Sequence, residues 1–68
     1  MRYYVTTQGR GGLTLFLVDR TKTKNRWWST SLYNAMAFIK ESAAQYSAKN
    51  LRYKNPTVVN SRIAKMLE

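Results

Sequence analysis

The sequence predicts an α+β fold in which a small antiparallel sheet, opened by a β-hairpin, packs against one amphipathic helix. Residues 2–8 and 13–19 are rich in aromatic and β-branched types and flank a loop that holds all three glycines, a pattern typical of a hairpin. Further along, apolar residues recur at the spacing of a helix. A chain of 68 residues has room for one small domain, which we assign to residues 1–68.

The second strand of this hairpin is apolar on both faces. Side chains alternate along a strand, so one face carries Leu13, Leu15 and Leu17 and the other carries Phe16 and Val18. Such a strand is expected to be central in the sheet or covered on both sides. We expect the leucine row to form its inner face.

A basic segment follows the hairpin and ends at two adjacent tryptophans. We expect a turn over residues 21–25 and a short third strand over residues 26–29. In an extended register Trp27 faces the core and Trp28 lies on the charged side. The cations that share the charged side are Arg20, Lys22, Lys24 and Arg26.

The predicted helix covers residues 31–49. Candidate N-cap residues are in the stretch Ser29-Thr30-Ser31, and Asn50 is a candidate C-cap. At about 100° per residue, one stripe of the helix collects Leu32, Ala35, Met36, Ile39, Ala43 and Tyr46. Phe38 lies off this stripe, which indicates packing on a flank or a bend in the helix.

The C-terminal segment allows two structures. In the first, Asn55-Pro56 starts a second helix, whose apolar stripe contains Val59, Ile63, Met66 and Leu67. In the second, Thr57-Val58-Val59 forms a fourth strand that completes the sheet. Both fit the hydrophobic pattern, and both leave the α+β class unchanged.

The sequence has an opening hairpin, a Trp-Ser step and a predicted helix with an Ala-x-x-Phe pattern. In this order of elements it resembles small phage-encoded accessory proteins with a ββ(β)α-type core. The matching residues are Tyr3-Tyr4-Val5, Gly11-Gly12-Leu13, Trp28-Ser29, Ala35-Met36-Ala37-Phe38 and Ala43. Such proteins often bind and redirect host machinery, including polymerases, nucleases and CRISPR effectors. The resemblance implies a role in host takeover, and it assigns no functional residue.

Charge is the strongest functional signal, with 12 lysine and arginine residues against 3 acidic residues and a formal net charge of +9. Cations interleaved with aromatic residues are typical of proteins that contact phosphates and stack on bases. We therefore expect a nucleic-acid-binding surface, with Trp28 as the stacking residue. Its candidate cations are Arg10 at the hairpin tip, Arg20, Lys22, Lys24 and Arg26 in the basic segment, and Arg52 and Lys54 in a second cluster around Tyr53.

Other partners fit the same charge. A phage-type inhibitor would use it to bind an acidic surface of a host protein, such as a polymerase, nuclease or CRISPR effector. A homodimer is a third hypothesis, because the core of so small a chain contributes only about 3–5 kcal/mol. We expect a cytoplasmic location, in the host if the protein is phage-encoded, because the sequence shows neither a membrane-spanning stretch nor a signal sequence.

Composition excludes most kinds of catalysis. The chain has no cysteine and no histidine, which excludes disulfides, zinc fingers and imidazole acid-base chemistry. The only carboxylate side chains are those of Asp19, Glu41 and Glu68, and their predicted places, on a strand end, on a helix surface and at the terminus, give no reason for them to pair. We therefore expect a protein that is not an enzyme, with no catalytic residue, metal site, cofactor, small-molecule substrate or membrane partner.

Overall fold

The computed structural model describes residues 1–19, 27–51 and 55–68. Within them an antiparallel sheet and two α-helices confirm the α+β class. The strands are β1 (Tyr3–Gln8), β2 (Thr14–Leu17), β3 (Trp28–Ser29) and β4 (Thr57–Asn60), in the sheet order β3-β2-β1-β4. The helices are α1 (Glu41–Asn50) and α2 (Ser61–Leu67), and two 3-10 turns cover Arg10–Gly12 and Leu32–Asn34.

The predicted hairpin is confirmed. β1 and β2 pair antiparallel, with Thr6 opposite Phe16. At the tip, Gly11 and Gly12 have φ angles of 68° and 79°, in the left-handed region that glycine enters more readily than residues with a Cβ. The local sequence of the tip therefore suits the turn that joins the two strands.

The sheet buries two apolar clusters, one on each face. The α2 face carries Tyr4, Phe16, Ala35, Val59 and, from the helix, Ala64. The α1 face carries Val5 and Leu17 together with Ala44 and Ala48 of the helix. β2 is therefore central and has buried side chains on both faces, as its two-sided apolar pattern predicts.

The expectation that the leucine row forms the inner face of β2 is wrong for most of the row. Leu13 is 57% exposed and Leu15 is half-buried, whereas Phe16 and Val18 on the other face are 0% and 1% exposed. α1 lies over β1 and β4. β2 is therefore not covered by α1 to the same extent on this face. Of the three leucines only Leu17, which lies opposite Trp28, is buried.

The third strand is confirmed at residues 28–29, while the turn predicted over residues 21–25 lies outside the described residues. The predicted orientation of the tryptophans is wrong. Trp28 packs against the α1-face cluster, and Trp27 is 57% exposed. The physical reason is register: directly opposed residues share a face of the sheet, and Trp28 lies opposite Leu17.

The predicted helix over residues 31–49 is wrong in its first half. Ser31 does act as a cap, since its hydroxyl accepts the Tyr33 N–H at 3.3 Å, but it starts only a short 3-10 turn. The chain then runs extended. Tyr3 and Phe38 exchange two backbone hydrogen bonds of 2.8 Å each.

This extended stretch supplies backbone partners where β1 and β2 separate. The Met36 N–H donates to the Leu17 carbonyl at 2.8 Å. Leaving such backbone groups buried without partners would cost more free energy than Ala35-Met36-Ala37 would gain from its intrinsic helix propensity. The length of the predicted helix also disfavours it. A helix over residues 31–49 would be about 28 Å long, whereas the six residues of β1 span about 20 Å.

The buried face of α1 differs from the predicted stripe. Ala44 and Ala48 are 0% and 7% exposed, whereas Tyr46 is 71% exposed and Ile39, before the helix, is 81% exposed. Leu32, Ala35, Met36 and Ile39 of the predicted stripe precede α1, so the stripe predicts the wrong buried face for this helix. The helix ends at Asn50, and Leu51 takes the C-cap position.

The C-terminal segment adopts both predicted structures in succession. β4 pairs with β1, with Val59 opposite Tyr4. Asn60 rather than Asn55 then caps α2, because its Oδ1 accepts the Ile63 N–H at 2.9 Å. The short helix buries Ala64 and leaves most of its predicted apolar stripe partly or largely exposed.

Candidate nucleic-acid interface

Much of the predicted interface lies outside the described residues. This applies to Arg20, Lys22, Lys24, Arg26, Arg52 and Lys54. The structure places the other two candidates, Arg10 and Trp28, and the residues that bracket both basic segments.

Asp19 and Trp27, which bracket residues 20–26, are held at the same end of the sheet. The Val18 N–H donates to the Trp27 carbonyl at 2.9 Å, and the Asp19 N–H donates to the Asn34 carbonyl at 2.9 Å. Both hydrogen bonds lie at the end of β2 farthest from the hairpin tip. The anchors of the first basic segment thus form one corner of the sheet.

Leu51 and Asn55, which bracket residues 52–54, belong to the opposite corner. The Leu51 N–H donates to the Ala48 carbonyl at 3.2 Å, where α1 ends. Asn55 precedes β4, which begins opposite Thr6 on the hairpin-tip side of β1. Three strand spacings and about four residues of strand separate the two corners, which amounts to about 20 Å. The anchors of the two clusters are therefore not adjacent, and the clusters themselves fall outside the described part of the chain.

The two candidates that the structure places do not meet. Arg10 is exposed in the 3-10 turn at the hairpin tip, whereas Trp28 pairs with the other end of β2. Trp28 is half-buried, and part of its indole packs on the α1-face cluster.

The more exposed indole beside the first basic segment is that of Trp27. Sequence reasoning missed this residue because it assigned the two tryptophans to faces without knowing the register of the third strand. The signal that identifies it is the pairing of Trp28 with Leu17, which places Trp28 on a covered face.

Two of the three acidic side chains lie at helix or turn starts. Glu41 is in the first turn of α1, and the Glu68 carboxylate accepts the Leu32 N–H at 2.9 Å at the start of the second 3-10 turn. Carboxylates are favourable there because the first N–H groups of a helix have no intrahelical partner. The exposed cations in the described ranges are Arg2, Arg10, Lys40, Lys49, Arg62 and Lys65.

Three of these cations lie near the first residue of β1. Tyr3 pairs with Asn60 on one side and bridges to Phe38 on the other. The cations within two residues of this row are Arg2, Lys40 and Arg62. They lie at the end of the sheet that also carries Asp19 and Trp27, the residues that bracket residues 20–26.

A groove along α1 was not predicted from the sequence. It is open, has a volume of about 790 Å³, and lies between α1 and the residues that lead into β4. Its lining includes Ser42, Gln45, Tyr46, Lys49, Asn55 and Pro56. The helix stripe drawn from the sequence placed Tyr46 in the core. The pair Ala44 and Ala48, at a spacing of four, is the signal that identifies the true buried face.

The structure shows neither a membrane-length helix nor a metal cluster in residues 1–19, 27–51 and 55–68. No helix there is long and apolar enough to cross a membrane. No group of three or more acidic, histidine or cysteine residues there could hold a metal ion.

Comparisons with known proteins give no relative from which a function could be carried over. No family model matches the sequence, and no match is found among curated proteins or solved structures. The function has to be inferred from the charge and the surface of this chain.

Proposed function

We propose that this protein is a small, basic, non-enzymatic binding protein that engages nucleic acid through a surface of cations and aromatic rings. The observation that carries the proposal is the excess of 12 basic over 3 acidic residues, with every described lysine and arginine exposed. In this proposal the cations of residues 20–26 are the main phosphate contacts, and Trp27, the more exposed of the two adjacent indoles, is the stacking ring.

Electrostatics supports this partner over an uncharged one. Cations that neutralise backbone phosphates release condensed counterions, which favours binding independently of sequence. The acidic residues offset few of the cations, because 3 of them stand against 12 lysine and arginine residues. The surface therefore keeps a strongly positive potential that attracts polyanions.

Binding to a short DNA duplex is expected to weaken steeply with salt. If about five phosphates are neutralised, the logarithm of the binding constant falls with the logarithm of the salt concentration with a slope of about −4 to −5. Fluorescence anisotropy of a labelled duplex, titrated from low to moderate salt, measures this slope. A flat dependence contradicts the proposal.

The hairpin tip offers a matched pair of variants for the same titration. Arg10→Ala is expected to reduce the steepness of the slope by about one if this guanidinium contacts a phosphate. Gln8→Ala, an exposed uncharged neighbour, is the control and leaves the slope unchanged. Equal slopes for both variants and the unmodified protein remove Arg10 from the interface.

A second candidate function is that of a phage-type inhibitor in the host cytoplasm, which binds an acidic surface of a nucleic-acid-processing or defence protein and blocks it. Exposed apolar side chains favour it, since Tyr33 and Met66 are each 79% exposed and Ile39 is 81% exposed. Aromatic and methionine side chains are enriched in protein interfaces, whereas phosphate contacts do not need them.

A nuclease-treated pull-down from a bacterial lysate distinguishes the two candidates. The inhibitor is expected to retain one protein in stoichiometric amounts after nuclease digestion, and Met66→Ser is expected to weaken that complex. Met66 is on the outer side of α2, so this change leaves the core intact. Loss of every protein on digestion contradicts the inhibitor and favours nucleic acid.

A further inference from the structure

We propose that the groove along α1 binds a base of single-stranded nucleic acid, with Tyr46 as the stacking ring and Lys49 as the phosphate contact. This inference rests on the proposed function. It goes further by naming the form of the nucleic acid and by adding a site to the residues predicted from the sequence.

Tyr46 and Lys49 are neighbours on the surface of α1. Residues three apart on a helix have Cβ atoms about 5–6 Å from each other, and both side chains line the groove. Tyr46 is 71% exposed although it is aromatic. Its ring is therefore available as a platform for a base, with a cation beside it for the phosphate.

The remaining lining suits the edge of a base. Gln45 and Asn55 carry amides that both donate and accept hydrogen bonds, and Ser42 adds a hydroxyl. Unpaired bases are recognised by stacking on aromatic rings and by hydrogen bonds to their edges. Among the described lining residues no carboxylate opposes the negative charge of a phosphate.

The shape of the groove favours a strand over a free small molecule. Its volume of about 790 Å³ is within the range of ligand sites, yet the groove is open to solvent. A strand can place one base in such an open groove while the rest of the polymer stays outside it, whereas a small ligand would leave much of its surface in water.

Stacking on Tyr46 requires an unpaired base. In a duplex each base is already stacked and paired, and its extraction costs a few kcal/mol. Stacking on an aromatic side chain gives about 1–3 kcal/mol per base, which barely offsets that cost. The groove is therefore expected to bind single strands and to contribute little to duplex binding.

The test measures the affinity of Tyr46 variants for two probes, a fluorescein-labelled oligothymidylate of about 12 nucleotides and a DNA duplex of the same length. Tyr46→Ala is expected to weaken oligothymidylate binding by about 5- to 100-fold and to change duplex binding by less than about twofold. Tyr46→Phe keeps the ring and is expected to retain the affinity. Tyr33→Ala, which removes another exposed tyrosine outside the groove, is the matched control.

Lys49 gives an independent measurement. Lys49→Ala is expected to reduce the salt dependence of oligothymidylate binding by about 0.7 in the log-log slope, the value for one phosphate of a single strand. Lys65→Ala removes another exposed lysine, from α2, and is expected to leave the slope closer to that of the unmodified protein.

The outcomes separate the inference from the proposed function. If the unmodified protein binds neither probe, the proposed function fails and the inference fails with it. If it binds both probes and Tyr46→Ala has the same affinities as Tyr33→Ala, the inference fails while the proposed function stands. A loss confined to Tyr46→Ala and to the single strand supports the inference. Because Tyr46 lies outside both core clusters, the variants are expected to keep the circular dichroism spectrum of the fold.

Discussion

Phe16→Ala is expected to leave a large fraction of the protein unfolded at room temperature. Phe16 is 0% exposed in the central strand β2, and its ring meets that of Tyr4 edge to face, with centroids 6.5 Å apart and planes at 76°. Replacing a buried phenylalanine by alanine costs about 3–5 kcal/mol, because apolar contacts are lost and a cavity remains. A domain of this size without disulfides or metal has about 3–5 kcal/mol of stability in total, so the two quantities nearly cancel.

Urea unfolding, followed by tryptophan fluorescence and circular dichroism, measures the effect. Phe16→Leu keeps much of the volume and is expected to fold with a lower midpoint. Leu13→Ala is the matched control, since Leu13 is 57% exposed beside the same strand, and its midpoint is expected to change little. A Phe16→Ala variant with an unfolding midpoint near that of the unmodified protein contradicts the two-cluster core.

Reversal of Lys22, Lys24 and Arg26 to glutamate is expected to weaken nucleic-acid binding by about a hundredfold or more at low salt. Each reversal changes the charge by two, so the triple variant carries +3 in place of +9. Loss of three phosphate contacts also reduces the salt slope on duplex DNA by about three. Acids in these positions further repel the phosphates that the cations attracted.

The control for this variant has the same net charge. Arg2, Arg62 and Lys65 reversed to glutamate also give +3, at exposed positions outside residues 20–26. Binding is expected to fall less than in the first variant, and anisotropy titrations of the same duplex measure both. If the two variants lose affinity equally, net charge alone governs binding and residues 20–26 are not its centre. If neither loses affinity, the proposed function is wrong.

Features that depend on neighbouring residues could be predicted from the sequence. Glycines at positive φ mark the hairpin tip wherever the strands lie. Phe16 and Leu17, on opposite faces of β2, indicated that both sides of the strand would be covered, and the two core clusters confirm it. These signals are local, because turn geometry and side-chain alternation need no information about the rest of the chain.

The helix could not be delimited in this way. Ala35-Met36-Ala37 favours a helix on intrinsic propensity, but the Met36 N–H donates to the Leu17 carbonyl instead, and Phe38, which follows this stretch, pairs with Tyr3. The extended conformation of this stretch therefore depends on backbone N–H and C=O groups elsewhere in the fold, which would lack partners if the stretch were helical. α1 begins at Glu41, and the face that it buries carries Ala44 and Ala48. Tyr46 is therefore exposed and lines the α1 groove.

The candidate site likewise has some features that follow from the sequence and others that only the fold determines. Its charge, its composition and its cationic segments are properties of the residues themselves, and they follow from the sequence without a fold. Three other features depend on strand register and helix length. They are the choice of the exposed indole, the positions of the residues that bracket the two basic segments, and the presence of a ring in a groove. Those features arise from backbone hydrogen bonds between residues far apart in the chain, such as that from Met36 to Leu17 and the pair between Tyr3 and Phe38. No local pattern specifies them.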